Sequence, residues 1–149
     1  MAATSIDEWL HEVVKDRLHA TGQKVTANRE ALVGLLSAAT RPLTIPEIID
    51  ARPTIAQSSA YRNLVVLEDA GLVHRIVTND DFARYELAED LTGHHHHLIC
   101  SVCGSVQDVP APEGLERAVG VATKAIARKT GFRAQHHRID LVGICQGCN

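Results

Sequence analysis

Four cysteines stand in the chain as two pairs, Cys100-x-x-Cys103 and Cys145-x-x-Cys148. A two-residue gap lets both thiolates of a pair converge on one tetrahedral ion, and two such pairs complete a four-sulfur shell. Such a shell leaves no open coordination position, so the ion it implies is a structural zinc rather than a catalytic one. The plainer alternative, ordinary buried or redox-active thiols, leaves the ligand spacing of both pairs unexplained. His94-His95-His96-His97 ends three residues before Cys100. If this run is extended, alternate imidazoles point to opposite faces, His95 and His97 to one and His94 and His96 to the other. One run can then serve two metal sites. A lone surface histidine would be read as a solvated group, but four in a row beside a cysteine pair favour ligation. Further donors must come from elsewhere, with His74 and Glu86 upstream and Asp108, Glu113, Glu116, His136 and His137 downstream as candidates. Each of these carboxylates, taken singly, is more often a solvated surface group.

The elements that must hold these residues can be read from periodicity and punctuation. Ser5-Ile6-Asp7-Glu8 has the form of a capping box, and Ile6, Trp9, Leu10, Val13, Val14 and Leu18 follow at helical spacing, which predicts a first helix ending near Gly22. Thr26 is a candidate N-cap for a second helix to about Ala39, with Leu32, Leu35 and Leu36 as its buried stripe. Thr44-Ile45-Pro46-Glu47 is a second capping box, opening a short helix that carries Ile45, Ile48 and Ile49 and stops before Pro53. A fourth helix is expected from about Gln57 to Ala70, closed by Gly71. Short helix, turn and longer helix follow the order of a helix-turn-helix.

Strand formers from Leu72 to Thr78 and from Phe82 to Leu87 flank Asn79-Asp80-Asp81, a hairpin signal that reads as a wing. The polar, glycine-ended stretch after it is the expected linker. The division is thus a DNA-binding domain over 1–88, a hinge over 89–93 and a second domain over 94–149. That second domain should hold strands around His97 to Ile99 and Ser105 to Val109, a helix from about Glu113 to Thr130 and a last strand from about Ala134 to Ile144. The fold class is α+β: an N-terminal winged helix-turn-helix followed by a small α/β domain with a four-cysteine zinc site.

Around the fourth helix, at 100° per residue, Ala60, Leu64 and Leu67 share one face, with Ser58 and Arg62 opposite and Tyr61 on the flank. Arginine can grip phosphate or read guanine, serine can bond either, and tyrosine can meet phosphate or a thymine methyl. The formal net charge of −3 argues against a nucleic-acid partner, since phosphate binding usually leaves a basic footprint. The objection sharpens for residues 1–90, which hold 9 Lys and Arg against 14 Asp and Glu. A helix-turn-helix nevertheless needs only one locally basic face. No apolar run is long enough to cross a bilayer and the N-terminus lacks the order of a signal peptide, so a cytoplasmic protein with no membrane partner is expected. In that reducing setting the cysteine pairs favour metal over disulfides.

Two rival function classes carry less. His11-Glu12-x-x-Lys15 lacks the second histidine of the metalloprotease H-E-x-x-H motif, and nothing nearby supplies an open three-ligand site, so a metallohydrolase is not expected. A zinc-dependent protein-interaction module would explain the cysteines but not the polar face of the fourth helix.

Three stretches are similar to the ferric uptake regulator (Fur) family: Ser59-Ala60-Tyr61-Arg62-Asn63-Leu64 with Leu67-Glu68-Asp69-Ala70-Gly71-Leu72-Val73, His94 to His97 with Leu98-Ile99-Cys100-Ser101-Val102-Cys103-Gly104, and Thr26-Ala27-Asn28-Arg29. The likeness runs from about Lys24 to Cys148, in the family's order. It implies a homodimeric, metal-dependent repressor of metal-homeostasis genes that binds double-stranded operator DNA. It further implies Cys100, Cys103, Cys145 and Cys148 as structural zinc ligands, and His74, Glu86, His95 and His97 as the regulatory site. His94, His96, Glu116 and His137 match an accessory site, and Lys24, Tyr61 and Arg62 match DNA-contacting positions, to which the polar face of the fourth helix adds Ser58. The chain departs from the family pattern at Pro42, where some members place a histidine ligand, and at Ala88, where its zinc sensors often have cysteine. Lacking a donor at Pro42 and carrying His74, it is closest in character to the zinc-sensing branch, with Zn2+ expected at the regulatory site and Fe2+ next.

Overall fold

The structure, a computed structural model, describes residues 6–78 and 80–149. The chain divides into two compact units, one up to Gly93 and the other from His94 to Asn149.

The first unit begins with α1 (Glu8–Ala20), α2 (Ala27–Ala38), β1 (Leu43–Thr44), α3 (Ile45–Ala51) and α4 (Gln57–Asp69). Asp7 caps α1: its side chain accepts from the Leu10 amide at 2.7 Å. Ser5 lies outside the described residues. Leu10, Val14 and Leu18 are the buried stripe of α1, whereas Trp9 is 58% exposed, because the buried positions repeat at four residues and Trp9 falls beside that row. Thr26 caps α2 as its position before the helix requires, accepting from the Arg29 amide at 3.3 Å. In α2, Leu32, Val33 and Leu36 are fully covered and Leu35 only partly. The capping box at α3 is complete in both directions: Thr44 Oγ1 accepts from the Glu47 amide and Glu47 accepts from the Thr44 amide.

Helix α4 buries Ala60, Leu64 and Leu67 against α2 and α3. Truncating Leu64 to alanine at the centre of that contact should cost about 2–5 kcal/mol. The helix stops at Gly71, whose φ of 71° is available to glycine at little strain, and the Leu72 amide then donates back to the Leu67 carbonyl.

Two longer strands follow, β2 (Val73–Val77) and β3 (Ala83–Leu87), which pair antiparallel; β1 adds to β3, giving the sheet order β1-β3-β2. The two-residue β1 has no period of its own and is not visible in the sequence. Within the wing turn, Asp80 accepts from both Nη atoms of Arg84, at 2.9 and 2.7 Å, and from Thr78 Oγ1 at 2.6 Å. The Arg84 side chain is buried, and its guanidinium holds the Asp80 carboxyl far below the usual carboxylate range. The stretch expected to be a plain linker carries a short helix, α5 (Glu89–Thr92), ending at Gly93. Leu91 of that turn packs on the core and Asp90 pairs with Arg17, so an apolar anchor and an ion pair hold it to the first unit.

In the second unit, β4 (His95–Cys100) is the central strand, antiparallel to β5 (Val106–Pro110) and parallel to β6 (Asp140–Gly143), with α6 (Glu113–Thr130) between β5 and β6 in sequence. The last strand is shorter than expected: residues 132–139 form no regular element, and pairing with β4 begins only at Asp140. Helix α6 buries none of its residues, and Val121, Ile126, Phe132, Leu141, Val142 and Ile144 are exposed.

Candidate metal centres and nucleic-acid interface

Two tight turns present the four cysteines. Cys100 closes β4, and the Gly104 amide returns to the Cys100 carbonyl at 3.0 Å, with Gly104 at φ 73°. At the other turn, the amides of Cys148 and Asn149 donate to the Cys145 carbonyl. The parallel register of β4 with β6, together with the Ser101 amide on the Gly143 carbonyl, brings the two turns side by side. One sulfur from each of Cys100, Cys103, Cys145 and Cys148 lies within 4.8 Å of the others. Cys103 Sγ and Cys145 Sγ are 3.8 Å apart. Sulfurs at the Zn–S distance of about 2.3 Å define a tetrahedron whose edge is about 3.8 Å, whereas a disulfide would need about 2.05 Å.

The protonation chemistry of this cluster agrees with a cation site. Backbone amides of Cys103 and Cys145, at 3.5 and 3.4 Å, point at Cys100 Sγ and lower its thiol to about 6. Cys148 is pushed up to about 12, first by its hydrogen bond to Cys145 and then by that to Cys103. Four neighbouring sulfurs cannot all ionise without a positive charge between them, and zinc supplies that charge while releasing their protons.

The histidine run divides as strand alternation demands. On one side, His94, His96, Glu116 and His137 bring a donor atom each within 4.8 Å of the others. Glu116, in the first turn of α6, meets the three histidines of this group through both of its oxygens. His96 Nε2 is 2.6 Å from its Oε1, while His94 Nε2 and His137 Nε2 are 3.0 and 2.9 Å from its Oε2. The hydrogen bond from His96 holds the Glu116 carboxyl below its ordinary range. His96 is buried, and among the described residues its Nδ1 has no hydrogen-bond partner, so the ring is placed by what its Nε2 meets.

On the other side, His95, His97 and Asp108 likewise offer donors within 4.8 Å of one another. His97 and Asp108 are register partners across β4 and β5, with Nε2 and Oδ1 3.8 Å apart. His97 Nδ1 meets Asp140 Oδ1 at 3.1 Å. In the first unit, His74 and Glu86 face one another across β2 and β3, Nδ1 to Oε1 at 3.4 Å. Of the remaining candidates, Glu113 pairs with Arg117 at an exposed edge of α6 and His136 is exposed in the irregular segment, and neither belongs to a donor group.

Ser58 and Arg62 lie exposed on the face of α4 opposite its buried residues, Tyr61 is exposed on its flank, and Lys24 is exposed in the segment before α2. Sequence reasoning named these four but not the network behind them. Arg29 donates through Nε to Asn63 Oδ1 at 3.0 Å and through Nη1 to the Lys24 carbonyl at 2.6 Å. Asn28 donates to Ser59 Oγ at 3.2 Å, and Asn63 donates to the Ser59 carbonyl at 2.9 Å. The start of α2 is thereby tied to α4 and to the backbone of Lys24. Elsewhere, His11 pairs with Glu30 at 2.7 Å and Lys15 with Glu12 at 3.3 Å, which leaves the near-match to the metalloprotease motif engaged in surface ion pairs.

A helix-turn-helix with an antiparallel wing, followed by an α/β unit with a four-thiolate cluster, defines a winged-helix metalloregulator. Residues 20–142 match the ferric uptake regulator family, and the chain belongs to that family. It is 31% identical to the peroxide operon regulator of Bacillus subtilis, over 100% of this chain and 97% of that protein. It is 30% identical to the peroxide-responsive repressor PerR of Staphylococcus aureus, over 97% and 94%. The solved structure of the Helicobacter pylori ferric uptake regulator, described as having three functional metal binding sites, superposes with a TM-score of 0.74 at 26% identity, over 99% of this chain and 97% of that one. The protein is accordingly a metal-responsive transcriptional repressor of a family whose members bind operator DNA as dimers. Among the described residues, no helix is long and apolar enough to cross a membrane.

Proposed function

We propose that this repressor senses zinc, with His74, Glu86, His95 and His97 as its regulatory ligands and the four-cysteine zinc as permanent scaffold. The observation that carries the reading is the split of the histidine run, which sets His95 and His97 beside Asp108 and away from the His94, His96, Glu116 and His137 group. A reversible sensor needs donors that can lose their ion without unfolding the protein, and imidazole with carboxylate meets that need better than four thiolates. His94, His96, Glu116 and His137 are the accessory site, and the hinge falls at 89–93.

Zinc is favoured over iron by two features. Pro42, where some members of the family carry a histidine, is a fully buried residue with no donor to offer. His74, by contrast, is paired with Glu86 on the wing. A peroxide response is the second reading, favoured by the identity to the two peroxide regulators. At the regulatory site that response would need an oxidisable ion such as Fe2+, since zinc has no redox chemistry.

The DNA contacts we propose are Lys24, Ser58, Tyr61 and Arg62. A homodimer is supported by α6, β6 and the segment between them, whose exposed apolar residues Val121, Ile126, Phe132, Leu141 and Val142 call for a second copy of this chain.

The test is binding to a genomic fragment library with Zn2+, Fe2+ and Mn2+ buffered in turn, before and after peroxide. Zinc-dependent binding that survives peroxide is expected. Binding supported by Fe2+ and abolished by peroxide would establish the second reading instead.

A further inference from the structure

His97 lies at the middle of a line of three side chains on adjacent strands. It is the register partner of Asp108 on β5 and of Asp140 on β6. The two carboxylates meet different ring nitrogens: Asp140 Oδ1 is 3.1 Å from Nδ1, and Asp108 Oδ1 is 3.8 Å from Nε2. The shorter distance is a hydrogen bond and the longer one is not. The 3.8 Å gap on the Nε2 side is instead a separation that two donors to one ion can span, and Asp108, which belongs with His95 and His97 in the donor group while Asp140 does not, is a further donor beside the proposed regulatory ligands.

We infer that Asp140 is a positioning residue for the regulatory metal: it accepts the Nδ1 proton of His97 and so keeps the Nε2 lone pair directed at the ion. The inference rests on the reading of His97 as a regulatory ligand. A neutral imidazole carries one proton, and whichever nitrogen holds it cannot bind metal. A carboxylate fixed at Nδ1 settles that choice before any ion arrives. It also restrains the rotation of the ring and raises the basicity of the donor nitrogen, as partners of this kind do for metal-bound histidines. The sheet supplies the rigidity, since β6 pairs with β4 from His97 to Cys100 and its far end leads directly into the Cys145 turn. The two metal centres are therefore joined by four residues of one strand. Residues 132–139, which precede β6, form no regular element; the Ile139 carbonyl accepts from the His97 amide at 3.3 Å, and Asp140 is the first residue of this stretch in register with β4.

The experiment uses the full chain with its cysteine-bound zinc retained, and compares the parent with Asp140→Asn, Asp140→Glu and His97→Ala. Zinc affinity is measured by competition with a chelator of known affinity, and the tautomer of His97 is read from imidazole 15N shifts without the regulatory ion, assigned by the signal lost in His97→Ala. Asp140→Asn should weaken the second zinc by about 10–100-fold. It should also move His97 away from the Nδ1-protonated tautomer, and Asp140→Glu should recover part of both effects. A parental affinity in Asp140→Asn, with His97→Ala weakened, would overturn the role of Asp140 and leave His97 a ligand. A parental affinity in His97→Ala would overturn the ligand reading itself. Loss of the cysteine-bound zinc in Asp140→Asn would mean that the residue maintains the strand rather than the imidazole, and would also overturn the proposal.

Discussion

Arg29 Nε donates to Asn63 Oδ1 at 3.0 Å, a link from the first turn of α2 to the middle of α4 that the same guanidinium extends to the Lys24 carbonyl. The helix that carries Ser58, Tyr61 and Arg62 and the backbone of Lys24 are therefore both held by one side chain that need not touch DNA. Arg29→Ala should cost about 1.5–3 kcal/mol of stability, the range for hydrogen bonds to charged groups. Operator binding should weaken with it. Arg62→Ala makes the contrast, since Arg62 is exposed: it should weaken operator binding by about 1–3 kcal/mol while leaving denaturant unfolding as in the parent. The idea fails if Arg29→Ala leaves both unfolding and operator affinity at parental values.

The 3.8 Å separation of Cys103 and Cys145 ties the end of the chain to the end of β4. Cys103→Ser removes one thiolate of four, and a closed zinc site contributes folding free energy directly. The expected result is loss of one tightly held zinc per subunit, with a lower melting temperature or dissociation of the dimer. Metal analysis and sedimentation at matched protein concentration decide it, and unchanged zinc content with unchanged assembly would sink the scaffold assignment.

How much of this was legible beforehand depended on the range of the signal. The caps at Thr26 and Thr44, the buried face of α4 and the span of α6 from Glu113 to Thr130 are local patterns, and the structure has them where the residues put them. The part of Asp7 in capping α1 is not legible in the sequence, because Ser5 and Asp7 both stand before the same apolar row and only geometry shows that the Asp7 carboxylate meets the Leu10 amide. The division of His94 to His97 followed from the two-residue period of a strand. Asp140 was invisible because it stands far along the chain from His97, and only the parallel register of β4 with β6 makes them neighbours. The Arg29–Asn63 link was half visible: the T-x-x-R resemblance marked Arg29, but no local pattern names its partner. Likewise, β1 and α5 are too short to carry a period.

The wing turn should be sensitive to acid in a definite direction. Asp80 is held well below its ordinary range, chiefly by hydrogen bonds from Arg84 and then from Thr78. A depressed carboxyl contributes stability that is fully present above its unfolded pKa of about 3.9 and is lost as pH falls towards the folded value. Asp80→Asn should therefore be less stable than the parent by about 1–3 kcal/mol at neutral pH, because a buried guanidinium loses its charged partner. That difference should stay constant down to about pH 4 and shrink below it. Thermal unfolding of the two proteins across this window is the check, and a difference that does not shrink in acid would show that charge is not what Asp80 contributes.

Regulation turns on which face of the histidine run is read by DNA. His96 is buried and meets Glu116 through Nε2, whereas His97 faces Asp108 and Asp140 on the other side of the same strand. If the His95 and His97 face is regulatory, then metal and operator each favour the same form of the protein, and each must tighten the binding of the other by an equal factor. His97→Ala should remain a folded dimer with its cysteine-bound zinc, yet need far more free metal for operator binding or fail to bind at all. His96→Ala removes the neighbour of Glu116 and should shift stability more than metal response, because the ring it deletes is buried and its loss leaves a cavity. Titrating operator affinity against buffered zinc for the parent and both variants separates the two faces. A His97→Ala protein that responds like the parent, beside a His96→Ala protein blind to metal, would place the sensor on the face of His94, His96, Glu116 and His137, and the roles of the two sites would have to be exchanged.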